Sequence, residues 1–148
     1  MIIADHDFPD DLWLLVEHQV WARPEADNTV TVGITSLGIH LAGEIYMCRL
    51  KPVDTVLEQG RSIGVVELAK TIVSVKSAVS GTVLAINRDV EAMPELLRSD
   101  PYGAGWLARL RCGDWAADQA NLQQPAHAVN ATLEYVATTQ RPDRWTDG

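Results

Sequence analysis

The chain contains little cysteine: Cys48 and Cys112 are the only two among 148 residues. Two cysteines cannot form the network of disulfides on which small secreted domains depend. Their positions leave open one disulfide or two reduced thiols. We expect reduced thiols on the core side of strands, because free cysteine behaves as a small apolar side chain. The scarcity of cysteine therefore argues against a framework of several disulfides.

Long apolar runs are also absent. No segment approaches the roughly 20 apolar residues that a membrane-spanning helix requires. The opening residues, MIIADHDFPDD, lack the basic region and the apolar stretch of a secretory signal. We therefore expect a cytoplasmic protein with no membrane partner.

Positive charge is in short supply. The chain has 12 Lys and Arg against 20 Asp and Glu, a net charge of −8 at pH 7. Binding to nucleic acid or to an anionic membrane requires clustered basic side chains that neutralise phosphates. This balance argues against both partners and favours other proteins.

The composition is that of a globular protein. With 148 residues and an apolar fraction of 47%, the chain is long enough to bury a core and short enough for one domain over residues 1–148. Short segments of alternating or β-branched apolar residues predict strands in the later part of 11–23 and at 29–35, 44–50, 63–68, 72–75, 82–86 and 106–111. Strands this short and this regularly spaced predict a mainly β fold, an antiparallel sandwich or flattened barrel.

Short helices are expected at the margins of this β fold. The patterns predict helices at 36–42 with Ser36 as cap, at 94–98 beginning with Pro94, from a cap at Asp114 to about Leu122, and around Val129, Leu133 and Val136. Proline and glycine in 100–103 predict a turn before the last strand. The tryptophans, as large apolar side chains, are candidates for the core or its margin: Trp13, Trp21, Trp106, Trp115 and Trp145.

Lys70 is the most distinctive candidate residue. Two valine-rich arms, residues 63–68 and 72–75, flank Ala69-Lys70-Thr71 and predict a β-hairpin with the lysine at its tip. The tip contains no Gly, Asn or Asp, so we expect either a strained turn or a longer loop. An exposed amine at such a tip is how a carrier presents a prosthetic group, although a merely solvated charge has the same pattern.

Several distinctive motifs occur in order along the chain: VGIT before Ser36, LAGEI at 41–45, VVE at 65–67, VSG at 79–81, Asn87, PEL at 94–96 and SDPYGAGWL at 99–107. Together they make the chain similar to a known family, the glycine cleavage H proteins. The resemblance covers roughly residues 11–122, which leaves 123–148 as a C-terminal extension.

The resemblance implies a lipoyl-domain-like barrel-sandwich hybrid that carries lipoate as an amide on Lys70. Glu67, three residues before the lysine, would help a lipoate ligase or lipoyl transferase recognise the hairpin. The protein itself would be a non-catalytic carrier without a metal, and its partner enzymes would perform the chemistry.

Departures from the usual family pattern bear on the client system. The chain has Leu68-Ala69 before the lysine and TIVSVK at 71–76 after it. The opening 9–12 and the segment 75–83 are more similar to the H-like lipoate-binding proteins of sulfur-oxidising prokaryotes, which serve a heterodisulfide-reductase-like complex. This branch is our first expectation. The alternative is glycine cleavage, with glycine decarboxylase, aminomethyltransferase and dihydrolipoamide dehydrogenase as partners.

Other readings of the same residues are less favoured. Biotin carriers place methionines beside their lysine, whereas Ala69 and Thr71 stand here, and we expect Lys76 to be an exposed strand charge. An unmodified H-like binding scaffold remains an alternative. A stand-alone enzyme is disfavoured because the cysteines and histidines show no metal-ligand spacing: His6, His18, His40 and His127.

Overall fold

The computed structural model describes residues 1–139, so Trp145 and the last part of the predicted extension lie outside the described residues. Within 1–139 the strands are β1 (Ile2–Ile3), β2 (His6–Asp7), β3 (Trp13–Leu15), β4 (Val20–Pro24), β5 (Thr29–Ile34), β6 (Met47–Leu50), β7 (Val56–Leu57), β8 (Ser62–Glu67), β9 (Ile72–Lys76), β10 (Gly81–Ile86) and β11 (Ala108–Cys112). The α-helices are α1 (Ser36–Ala42), α2 (Arg88–Ala92), α3 (Leu96–Ser99), α4 (Trp115–Gln119) and α5 (Val129–Thr139). The division of the chain into a core of 11–122 and an extension stays a prediction.

Every strand pair in the described part of the chain is antiparallel. The six-stranded sheet has the order β3-β4-β5-β11-β10-β7, the three-stranded sheet has the order β6-β8-β9, and β1 pairs with β2. The predicted mainly β antiparallel class, with short helices at the margins, is confirmed.

The core holds the two larger sheets together. One cluster of buried apolar side chains takes members from both sheets, among them Val32 and Leu110 of the six-stranded sheet and Val66 and Val75 of the three-stranded sheet. A second cluster joins the N-terminal segment to α1 and to the start of α5: Ile3, Phe8, Leu12, Leu14, Trp21, Leu37 and Ala128. Burial of these surfaces is the main favourable term for the fold.

The loop 99–107 is held by hydrogen bonds to distant segments. Trp21, which is fully buried, donates from Nε1 to the carbonyl of Pro101 at 3.2 Å and to that of Ile34 at 3.1 Å. Tyr102 donates from its hydroxyl to the carbonyl of Asp7 at 2.7 Å, and burial raises its pKa to about 12, so the hydroxyl keeps its proton. The predicted turn is present, and its role is to join three parts of the chain.

The helix predicted at 36–42 has those bounds, but its predicted cap was wrong, and so was the predicted start of the helix at 94–98. Thr35, not Ser36, caps α1: its backbone is extended, and its side-chain oxygen accepts a hydrogen bond from the amide of Gly38. Helix α3 begins at Leu96, so Pro94 precedes it, and α2 just before it was not predicted. The Asp114 cap is confirmed, since its carboxylate accepts from the amide of Ala117.

The predicted C-terminal helix exists, and its predicted apolar stripe is correct in part. Val129 and Val136 pack on the second core cluster, but Leu133 is 48% exposed, and Thr132 and Thr139 are buried instead. Helix α5 packs on the N-terminal segment and on the short helical turn Val16–His18. The spacing of apolar residues therefore identified the helix and two of the three residues expected on its packed face.

Both cysteines are free, which confirms the expected reduced thiols. Burial raises the pKa of Cys48 to about 12 and that of Cys112 to about 11. Both thiols are therefore protonated and weakly nucleophilic at neutral pH. Within residues 1–139, no helix is long and apolar enough to cross a bilayer.

Gly33 should be among the positions least tolerant of a larger residue. A Cβ at Gly33 would overlap the indole of Trp21, which is fully buried, so the indole or the strand would have to shift within a packed core. We expect Gly33→Ala to lower the free energy of unfolding by about 1–3 kcal/mol. Gly113→Ala is the control, because its nearest neighbour would be 4.0 Å away, and it should change stability by no more than about 0.5 kcal/mol. Urea unfolding measures both, and equal stabilities would contradict this packing.

Candidate functional site

The Lys70 hairpin is formed by β8 and β9. These strands pair with Glu67 opposite Ile72 and Val66 opposite Val73. The amide of Leu68 donates to the carbonyl of Thr71 at 2.8 Å, which leaves only Ala69 and Lys70 between the closing residues. The predicted hairpin is therefore present, and its loop is tight.

The tip achieves this turn without left-handed backbone. In the described residues, the non-glycine positions with positive φ are Ala4, Asp5, Gln19, Asp27, Asn28 and Asp54. The tip therefore has no left-handed residue, and its loop is short. The expectation of a strained turn or a longer loop was wrong. Because no residue of the tip needs a positive φ, the turn does not require Gly, Asn or Asp.

The lysine side chain is directed to solvent. Ala69, Lys70 and Thr71 are exposed, whereas Leu68 is only 8% exposed. None of the ion pairs found within residues 1–139 involves Lys70. The amine is therefore accessible to a modifying enzyme, while the hairpin beneath it is anchored in the core.

Glu67 lies on the same accessible surface. Its side chain is exposed, and its carbonyl accepts a hydrogen bond from the amide of Tyr46 at 2.9 Å. Its backbone also pairs with Met47 of β6, the neighbouring strand. The carboxylate therefore projects from backbone that is fixed on both sides.

A β-bulge changes which side chains of β8 are buried. The alternation predicts Ile63 and Val65 on one face, but the register shifts between Ser62 and Gly64, and Ile63 is buried together with Val66. A Cβ at Gly64 would lie 2.5 Å from the carbonyl oxygen of Arg49, so only glycine permits this approach of β6. At the bulge, the side chain of Ile63 is buried and anchors the strand that leads to the hairpin tip.

A cleft of about 450 Å³ lies beside the hairpin. One wall consists of residues from β8, β9 and the hairpin itself, and the others come from the β3–β4 connection, β5, α1 and α5. The lining residues are Glu17, His18, Gln19, Val20, Ile34, Gly38, Ile39, Leu41, Ala42, Ile45, Val66, Leu68, Val73, Ser74, Val75, Lys76 and Tyr135. Most of these side chains are apolar.

Two uncharged polar groups are buried in this lining, the side-chain amide of Gln19 and the hydroxyl of the partly exposed Ser74. Gln19 is 2% exposed; its Oε1 accepts from the hydroxyl of Thr35 at 2.7 Å, and its Nε2 donates to the carbonyl of Val16 at 2.9 Å. Ser74 differs, because its Oγ is buried and has no hydrogen-bond partner in residues 1–139. Within residues 1–139, the side chain of Gln19 is therefore hydrogen-bonded, whereas the hydroxyl of Ser74 is not.

Within the described residues 1–139, the titratable side chains that line the cleft and bear on its charge are Glu17, His18 and Lys76. Glu17 and His18 are exposed, and Lys76 is half-buried, so the expectation that Lys76 is a freely exposed strand charge was wrong. Burial lowers the pKa of His18 from its ordinary 6.5, the negative charge of Glu17 opposes this shift, and the positive charge of Lys76 adds to it. At neutral pH His18 is therefore mainly uncharged, and the cleft holds one negative and one positive group.

Sequence reasoning missed the cleft. Its walls come from segments as distant as Glu17 and Tyr135, and none of them carries a motif for a binding site. The histidines do not form a metal site: the rings of His6 and His40 lie 5.0 Å apart, but no group of three or more His, Cys, Asp or Glu in the described residues could hold a metal ion.

The pKa of His18 reports the charge balance of the cleft. Lys76→Met should raise this pKa, because it removes a positive charge that disfavours the imidazolium, and Glu17→Gln should lower it further. NMR titration of the His18 ring protons measures both, with Lys51→Met as the control that should leave the pKa unchanged. Because folding lowers this pKa, the contribution of His18 to stability is lost as the pH falls below 6.5. Identical titration curves for all variants would contradict the assigned charges.

Comparison with known proteins identifies the family. The family model described as glycine cleavage H-protein matches residues 13–135. The chain is 43% identical over 129 residues to the glycine cleavage system H protein of Mycobacterium avium, an alignment that covers 86% of this chain and 97% of that protein. It is 40% identical over 120 residues to the protein of the same name from Laribacter hongkongensis, covering 81% of this chain and 93% of that protein.

The fold agrees with this assignment. The crystal structure of a glycine cleavage system H protein from Mycobacterium marinum superposes with a TM-score of 0.67 at 27% identity, covering 90% of this chain and 100% of that chain. The segment 13–135 that the family model matches contains the Lys70 hairpin and all the lining residues of the cleft. Proteins of this family are non-catalytic carriers with lipoate attached covalently to a lysine. The chain therefore belongs to the glycine cleavage H-protein family.

Proposed function

We propose that this protein is a cytoplasmic lipoyl carrier whose lipoate is attached as an amide to Lys70. The observation that carries the proposal is the position of Lys70 at the exposed tip of a two-residue hairpin loop. The chain has two other lysines. Lys76 is half-buried in the cleft, and Lys51 lies just after β6, outside any hairpin tip.

The residues of the tip fit such a group. A primary amine without an ion pair can approach an activated acyl group, and the small side chains of Ala69 and Thr71 leave space around it. Glu67 would serve as a recognition point for a lipoate ligase or lipoyl transferase, because its exposed carboxylate has a fixed position on the same hairpin. When bound, lipoate supplies a strained cyclic disulfide that is readily opened and closed by thiols and reductants.

The chain contributes position and shielding. Val66, Leu68 and Val75 are buried and hold the base of the hairpin rigid, so Lys70 is presented at a fixed place on the surface. Amide formation removes the ammonium charge, which lowers the desolvation cost of entering an apolar environment. The cleft next to the hairpin provides such an environment on the carrier itself.

We propose a heterodisulfide-reductase-like complex of sulfur oxidation as the first candidate client. Two observations support it. The opening 9–12 and the segment 75–83 resemble the lipoate-binding proteins of that system. Among residues 1–139, the cleft lining includes no buried carboxylate, so this lining favours a cargo without positive charge, whereas glycine cleavage requires an aminomethyl cargo.

Glycine cleavage is the second candidate, and the names of the relatives favour it. The similar proteins from Mycobacterium avium and Laribacter hongkongensis are both named glycine cleavage system H proteins. In that case the partners would be glycine decarboxylase, aminomethyltransferase and dihydrolipoamide dehydrogenase.

Attachment at Lys70 is tested by intact mass after co-expression with a lipoate ligase. The wild-type chain should gain one lipoyl group, Lys70→Arg should gain none, and Lys76→Arg should be modified like the wild type. Glu67→Ala should be modified more slowly than a matched variant at another exposed acidic residue, Glu58→Ala. A wild-type chain that no ligase or transferase modifies would favour the unmodified H-like scaffold instead.

The client is tested with the lipoylated chain and glycine decarboxylase. We expect aminomethyl loading to be slower than for the Mycobacterium avium H protein by about tenfold or more, because the described lining of the cleft offers no buried carboxylate to the amine. Loading is measured as glycine-dependent carbon dioxide release. Equal rates for the two carriers would assign this protein to glycine cleavage.

A further inference from the structure

We propose that the outer face of the six-stranded sheet is a docking surface for a protein partner that presents acidic side chains. We call this surface the arginine face and define it by Arg23, Arg109 and Arg111, with Thr29 and Thr31 on the strand between them. The inference goes beyond the proposed function, because it concerns a different surface from the hairpin and does not depend on lipoylation.

Strand pairing brings the three arginines together. Arg23 on β4 lies opposite Thr31 on β5, and Thr31 lies opposite Arg109 on β11. Arg111 follows two residues later on β11, opposite Thr29. The residues between these positions on β5 and β11 are buried in the core. Because side chains alternate between the two faces of a strand, the arginines project from the face away from the core.

The spacing of the arginines matches that of carboxylates in a protein segment. Arg23 and Arg109 are two strand spacings apart, about 10 Å, and Arg109 and Arg111 are two residues apart, about 7 Å. Carboxylates on alternate residues of an extended segment are also about 7 Å apart. An acidic segment that lies along β11 can therefore pair with both arginines of that strand.

The arginine face lacks counter-charge. None of the ion pairs found within residues 1–139 involves its three arginines, whereas Arg61 and Arg88 each have a carboxylate partner. The carboxylate of Glu25 is nearby, where it accepts a hydrogen bond from the hydroxyl of Thr31 at 3.2 Å. In a chain with a net charge of −8, this concentration of positive charge on one face is unusual. An acidic partner would supply the missing carboxylates.

Two of the arginines are positioned by tryptophans. The Cζ atom of Arg23 lies 5.0 Å from the ring centre of Trp21, and that of Arg109 lies 5.4 Å from the ring centre of Trp106. Arg109 also donates from Nε to the hydroxyl of Thr31 at 3.5 Å. Such contacts restrict the side chain and leave the terminal guanidinium nitrogens for a carboxylate. Binding then costs less side-chain entropy.

The size of the face and the charge of the chain favour a protein partner. From β4 to the edge strand β7 the sheet crosses four strand spacings, about 19 Å. Val56 on β7 is 76% exposed and lies opposite Thr82, which in turn lies opposite Arg111. A small anion would contact only a fraction of this surface, and the net charge of −8 would repel a nucleic acid. A protein can offer both carboxylates and an apolar contact.

Docking on the arginine face would leave the attachment point accessible. The face points away from the core that joins the two larger sheets, and Lys70 belongs to the hairpin of the other sheet. A partner bound there would hold the carrier close to its client enzymes. The effective concentration of the arm at their active sites would increase without contact to the hairpin.

The experiment measures binding of an acidic peptide to the full, unmodified chain. The probe is a fluorescein-labelled peptide of ten residues in which glutamate and threonine alternate, and the same peptide with glutamine in place of glutamate is the reference. Fluorescence anisotropy at low salt should show binding of the glutamate peptide about tenfold or more tighter than that of the reference. Amide NMR shifts should change at Thr31 and Arg111 and stay constant at Leu68.

Arginine substitutions test whether the face itself binds the peptide. The combined variant Arg23→Gln, Arg109→Gln, Arg111→Gln should lose about tenfold or more in affinity, because three charge-assisted contacts are removed. The matched control combines Arg49→Gln, Arg61→Gln and Arg88→Gln, which changes the net charge equally, and it should lose no more than about twofold. Urea unfolding verifies that both variants fold.

A smaller variant keeps the test valid if the triple variant does not fold. Arg109→Gln with Arg111→Gln changes only exposed side chains and should lose about threefold or more in affinity. Its control is Arg61→Gln with Arg88→Gln. Equal losses in face and control variants, or no binding of the glutamate peptide to the wild-type chain, would overturn the inference.

Other occupants of the face are distinguished in the same assay. Tighter binding of a thymidine decamer or of inorganic phosphate than of the glutamate peptide would overturn the inference. So would a wild-type dimer in sedimentation velocity that the triple arginine variant converts to a monomer, because a second copy would then be the occupant.

The inference can fail independently of the proposed function. A ligase should lipoylate the chain in the presence of saturating glutamate peptide at a rate within about twofold of the rate without it, because the two surfaces are separate. A slower rate would overturn the separation of the surfaces. A chain that is never lipoylated would contradict the carrier proposal, whereas the peptide measurements on the unmodified chain would still decide the role of the arginine face.

Discussion

Burial of Leu68 is the constraint on which the arrangement of the site depends. This side chain is in the core, two residues before an exposed lysine, and its amide closes the hairpin on Thr71. Burying a leucine side chain contributes about 1.5–3 kcal/mol, and pairing with β6 and β9 fixes the strand that bears it. The lysine consequently has mobility in its side chain but little in its backbone, as a carrier requires if a modifying enzyme and several partners are to find the same point.

The hairpin and the cleft are built from the same side chains. Val66, Leu68, Val73 and Val75 are part of the hairpin and also line the cleft. The surface that presents the attachment point and the surface that can shield its cargo therefore move as one body. The carrier itself therefore determines the charge that its cargo meets in the cleft. Two lining residues, Lys76 on β9 and Glu17 before β4, contribute to that charge.

The fold and the attachment point could be predicted because their signals are local. Alternation of β-branched residues identified the strands around Lys70, and the cap at Asp114 identified α4. Errors arose where a neighbouring segment decided the outcome. Thr35 rather than Ser36 caps α1 because Thr35 is held between Gln19 and Gly38, and Leu133 faces solvent because the opposite side of α5 packs on the N-terminal segment.

The amino-acid sequence by itself determined the β class, the hairpin with Lys70 at its tip, and the similarity to lipoyl carriers, since all three depend on residues close together in the chain. Only the tertiary structure decided the bulge at Gly64, the unpaired hydroxyl of Ser74 and the half-buried position of Lys76. Burial and hydrogen-bond satisfaction at these places depend on β6, α1 and α5, which lie far away in sequence. No pattern within a single segment can specify which distant segment will cover it.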